Sequence, residues 1–79
     1  MTAPSALERP ARVRVVIPGW PPCWLTTAQP TTLQEVRLTL NPEEAHVASF
    51  EGLQRLATLL TGYAELCGSK LQFDVEDAP

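Results

Sequence analysis

The sequence predicts a small α+β domain. It would be a two-layer sandwich, with a mainly antiparallel sheet of three to five strands and one long helix, about residues 50–67, on one face. Three observations carry this expectation. Short segments before residue 41 and after residue 69 alternate apolar and polar residues with the two-residue period of half-buried strands. Residues 50–67 instead repeat apolar positions at steps of three and four, the signature of an amphipathic helix. Prolines and glycines cluster between these segments, where turns belong.

Taken in order, residues 1–11 read as a flexible arm, rich in proline, alanine and polar residues without sustained period. The domain proper spans 12–76, and 77–79 form a short tail. The first strand is "RVRVVIP": Val13, Val15 and Ile17 point one way, Arg12 and Arg14 the other, and Pro18-Gly19 ends it. "CWLTT", from Cys23, can form a second strand, but Pro21 and Pro22 lack ladder donors, so it cannot begin before Cys23. Leu33 to Leu40 reads as the clearest strand, with Leu33, Val36, Leu38 and Leu40 set against Glu35, Arg37 and Thr39. Asn41-Pro42-Glu43-Glu44 fits two structures: a helix start with cap, proline and carboxylate, or a hairpin turn leading to a short strand. Both stay open for residues 41–49.

The helix has a cap at Ser49 and a left-handed terminator at Gly68. Its stripe runs Phe50, Leu53, Leu56, Ala57, Leu60, Tyr63, Ala64 and Cys67, and Leu59 and Leu66 widen it at one margin. Such a broad face exceeds what one small sheet covers, so a dimer burying Leu59 and Leu66 is expected. Gly62, with Thr58 beside it, forms a small-residue patch that a second backbone can approach. A last strand, "KLQFDVE", places Leu71, Phe73 and Val75 inward.

Composition limits the chemistry. At 79 residues the chain is one domain with a narrow stability margin. Its apolar fraction of 44% sets it apart from disordered chains, and its apolar runs are too short to span a membrane. No secretory leader is read at the N-terminus, so a cytoplasmic location is the expectation. The abundance of alanine, leucine, proline and arginine points to a GC-rich bacterial or phage genome.

Residues 1–40 carry a surplus of +2 and residues 41–79 a deficit of −5, together the net −3. An acidic domain is a poor general ligand for phosphate backbones. Cys23, His46 and Cys67 are too few and too scattered for a structural zinc site, so no metal or cofactor is expected. Both cysteines read as buried thiols. No catalytic motif is present, and a Cys23–His46 pair has no local sequence support.

The sequence therefore predicts a non-enzymatic module of regulatory or accessory type, acting by protein–protein contact and self-association. The candidate partner-binding residues are Trp24 and Trp20 with Arg12, Arg14 and Arg37; those for self-association are Leu59, Leu66, Thr58 and Gly62. Alternation turns either Cys23 and Leu25 or Trp24 and Thr26 inward; with Leu25 inside, Trp24 is on the solvent side as a binding anchor. Trp20 is expected to cover the open end of the core. The alternative is a nucleic-acid-associated module in which the three arginines and Trp24 form a sheet face. A small enzyme or metal-binding protein is the remaining alternative.

Overall fold

Residues 9–78 are described by the structure, a computed structural model. The chain forms β1 (Pro10–Val16), β2 (Cys23–Leu25), a 3₁₀ turn (Leu33–Glu35), β3 (Leu38–Thr39), a second 3₁₀ turn (Pro42–Glu44), β4 (Ala48–Ser49), α1 (Phe50–Leu66) and β5 (Gln72–Asp77). All pairings are antiparallel, and β1 is the centre of the five-stranded sheet. Along one edge β1 takes β5 in a continuous register, Ala11 opposite Asp77 through Val16 opposite Gln72. The opposite edge is shared by β2, against Arg14 and Val15, and β4, against Pro10 and Ala11. The predicted α+β sandwich is therefore the fold.

Alternation places Ala11, Val13 and Val15 of β1 beneath the helix with Cys23, Leu25 and Phe73. α1 answers with Leu53, Ala57, Leu60 and Ala64, a strip at steps of four, three and four. Leu25, Leu60, Val13 and Val15 are the largest fully buried side chains. Both helix ends obey the sequence. Ser49 Oγ accepts the Gly52 N–H at 3.2 Å. At the other end Gly68 takes φ +71°, its N–H donates to Glu65 O, and the Ser69 N–H donates to Ala64 O at 2.8 Å. These two bonds make a Schellman ending, which satisfies carbonyls the helix leaves open.

Three expectations need correction. The strand expected over Leu33–Leu40 shrinks to Leu38–Thr39. In the antiparallel β2–β3 register residues 33–37 would have to pair with residues after Leu25, where β2 has already ended. The preceding loop closes on itself instead. Thr27 Oγ1 accepts the Arg37 N–H at 2.8 Å and donates to Glu35 O at 2.9 Å, while the Thr26 N–H donates to Arg37 O. Side-chain bonds thus replace a strand ladder. Glu35 accepts from the Thr31 N–H and hydroxyl, donors that hold its carboxyl below the usual range.

The sheet also begins at Pro10, inside the expected arm. Ala11 is fully buried, and Arg9 O accepts the Phe50 N–H. The rest of that arm, residues 1–8, lies outside the described residues. At the far end Asp77, the first residue of the expected tail, is still in β5, and the Ala78 N–H donates to Pro10 O; Pro79 is outside the described residues.

Third, Cys67 is exposed rather than a core thiol, because it caps the helix beyond the last residue over the sheet. Residues 41–49 combine the two open readings. Asn41 caps a single 3₁₀ turn by accepting the Glu43 N–H, and a two-residue strand comes after it.

Candidate functional site

The two tryptophans exchange their expected roles. Pro18 and Gly19 occupy the central positions of a tight turn closed by the Trp20 N–H to Ile17 O at 3.0 Å. Gly19 takes φ +81°, which a type II turn requires at its third residue. That turn throws Trp20 into solvent, 69% exposed, with Pro21 and Pro22 stiffening the exit. It is not a lid on the core. Trp24 does point to the face away from the helix, as alternation requires, but it is half-buried there. The Arg12 guanidinium lies 5.6 Å from its ring centroid, and its indole N–H is buried without a partner among the described residues.

Arg12 is the hub of this outer face. Its Nε donates to Glu76 at 2.8 Å and its Nη1 to Pro42 O at 3.3 Å. It therefore joins β1, β5, β2 and the second 3₁₀ turn. Arg14 is exposed opposite Asp74 and has no side-chain partner among the described residues. Arg37 is not on the sheet face at all; it lies in the loop before β3, bonded to the Gln34 and Val36 carbonyls. The arginines and Trp24 thus do not form one free cationic platform: two of the four are engaged with each other.

The helix margin is different. Leu59 and Leu66 are 46% and 85% exposed, and Tyr63 lies between them. The 3₁₀ turn at Leu33 reaches this side, leaving a depression of about 530 Å³ bounded by Thr31–Gln34, Tyr63, Leu66 and Cys67. A second, shallower depression lies over Thr58, Leu59, Gly62 and Leu66. A Cβ added at Gly62 would meet nothing within 4 Å, so this point is open to another chain. The four residues named for self-association are therefore brought together. Sequence reasoning missed Leu38, Leu40 and Val47, all exposed; they lie at a sheet edge and beside the second 3₁₀ turn. The alternation of Leu38 and Leu40 reads as core-facing, but β3 is the outermost strand of the sheet.

The cysteines provide a direct check on burial. Cys23 donates its thiol to Val15 O at 3.5 Å and burial raises its pKa, whereas Cys67 is open. One thiol per native chain should react rapidly with a disulfide reagent at neutral pH, and the second only after denaturation. Two rapidly reacting thiols would contradict the packing of β2 beneath the helix. Among the described residues no three His, Cys, Asp or Glu side chains are grouped as metal ligands, and no helix is long and apolar enough to cross a membrane.

The chain matches no protein-family model, no curated protein sequence and no solved structure. Any functional reading therefore rests on its surfaces.

Proposed function

We propose that this chain is a protein-contact module without catalytic chemistry of its own, and that it pairs with a second copy through the Thr58, Leu59, Gly62 and Leu66 margin of α1. The carrying observation is the exposure of Leu66 and Leu59 beside the open Gly62. Large apolar side chains on a contiguous patch favour association when water is excluded from them. Gly62 lets two helices approach closely. An antiparallel crossing between Leu59 and Gly62 sets Arg55 of one copy beside Glu65 of the other, so the charges flanking the patch are complementary. Two unpaired cysteines suit a reducing bacterial cytoplasm.

Light scattering at micromolar concentration should give twice the 8.7 kDa chain mass. Leu66→Glu should return it to a single chain without loss of thermal stability, because Leu66 makes little core contact. Gly62→Ala should behave similarly while stabilising the monomer by up to about 1 kcal/mol through helix propensity. Arg55→Glu should weaken pairing and Glu65→Arg in the same chain should restore it. A single-chain mass for the wild type at all concentrations would reject the reading.

A further inference from the structure

The sheet leaves one long edge open, on β5. The Ala78 N–H donates to Pro10 O, and Ala78 continues the β1–β5 register. In an antiparallel ladder the inward-bonding residues alternate. Gln72, Asp74 and Glu76 therefore bond to β1, and Phe73, Val75 and Asp77 turn their N–H and C=O groups away from the sheet. No other strand pairs with β5 among the described residues.

Beside this edge runs a groove of about 1040 Å³ between β5 and α1. Its walls include Ala57, Thr61 and Glu65 from the helix, Lys70 from the turn after it, and Phe73 and Asp74 from the strand. A bare strand edge next to a helix-lined groove is the arrangement in which an added strand bonds by its backbone and seats alternate side chains in the groove.

We infer that β5 accepts an extended segment of a partner protein, with basic residues at alternate positions facing Asp74 and Glu76. Charge decides the occupant. Pairing β5 with a second β5 about Val75 sets Asp74 against Glu76 twice, and like charges directly opposite destabilise a sheet. Arg12 already compensates Glu76, and Asp77 is bridged to Arg9 at 2.6 Å. Asp74 forms no ion pair among the described residues, and its cross-strand neighbour on the β1 side is Arg14. On the open side, the positions of an added strand opposite Asp74 and Glu76 face carboxylates, so a lysine or arginine there makes favourable cross-strand pairs, and the residues between them lie against Ala57 and Phe73. The groove shares Thr58, Gly62 and Glu65 of α1 with the helix-to-helix pairing, but the added strand bonds to the backbone of β5, so shifts at the β5 amides separate the two.

The test uses the full chain and two synthetic peptides, one alternating lysine with valine and one alternating glutamate with valine. NMR titration should move the amide signals of Phe73, Val75 and Asp77 with the lysine peptide and slow their hydrogen exchange. The glutamate peptide should bind at least tenfold more weakly. Val75→Pro removes one outward donor while leaving the β1 ladder intact, and should weaken lysine-peptide binding at least tenfold. Asp74→Lys provides a second variant, which keeps every backbone donor of β5; it should reverse the preference between the peptides. The inference is overturned if the β5 amides stay unmoved at millimolar lysine peptide, if the shifts map elsewhere, or if Asp74→Lys leaves the preference unchanged.

Discussion

Leu60→Ala should remove a large share of the stability of this domain. Leu60 is fully buried, central in the helix strip and set against β1 and β5. Truncating such a leucine costs about 2–5 kcal/mol, through lost burial and through the cavity left behind. A domain of this size holds roughly 4–12 kcal/mol in total, at about 0.05–0.15 kcal/mol per residue. The loss is therefore a large share of the whole. In urea, where small domains have slopes near 1 kcal/mol/M, the midpoint should fall by about 2 M or more. Collapse of the neighbours into the space would reduce the effect. Here the facing residues are Val13 and Val15 on a central strand paired along both edges, which leaves them little room to move. A midpoint shift under about 0.5 M would show that the helix does not pack as described.

Trp24→Ala and Trp20→Ala should differ widely. Trp24 is half-buried on the outer face under Arg12, between β1 and β3 in register. Its truncation should cost about 2–4 kcal/mol, since a large ring and a cation–π contact are lost together. The unpartnered indole N–H moderates that loss, because a buried unsatisfied donor costs about 1–3 kcal/mol in the native state. Trp24→Phe should accordingly cost much less than Trp24→Ala. Trp20→Ala should change stability by less than about 0.5 kcal/mol, as for other exposed positions. A double-mutant cycle between Arg12→Ala and Trp24→Ala isolates the stacking, with an expected coupling of about 0.5–1 kcal/mol. Equal losses for the two tryptophans would contradict the placement of both rings.

Where the local pattern was strong, the sequence was a sufficient guide. α1 was readable from cap to terminator because Ser49 and Gly68 act within a few residues of where they stand. β1 and β5 were readable because their alternation is strict and both are long enough to bury one face. The excess width of the helix face was readable too, and Leu59 and Leu66 do emerge from it. Residues 33–40 show the limit. From Val36 to Leu40 the alternation is as regular as that of β5, but Leu33 is out of phase with it, a local sign that the strand does not reach back so far. Within 36–40 strand length depends on the partner, and β2 is only three residues long.

The tryptophan stretch separates the two sources of information most clearly. With Cys23 and Leu25 inside, alternation sends Trp24 to the face away from the helix, and the Pro18-Gly19 pair marks a turn before Trp20. Both are properties of neighbouring residues and backbone geometry. Which ring ends in solvent depends instead on groups distant in the chain. Arg12 reaches Trp24 because β1 and β2 pair, and it is held there by Glu76 and by the carbonyl of Pro42. No comparable group meets Trp20 among the described residues. The sequence by itself therefore determined the element types, the helix limits and the inward sets of β1 and β5, since these arise from periodicity and capping. Only the tertiary structure decided the exposure of Trp20, the cover over Trp24, the length of β3 and the open edge of β5. Each of these turns on which strand finds which neighbour, a long-range choice that no short window of residues contains.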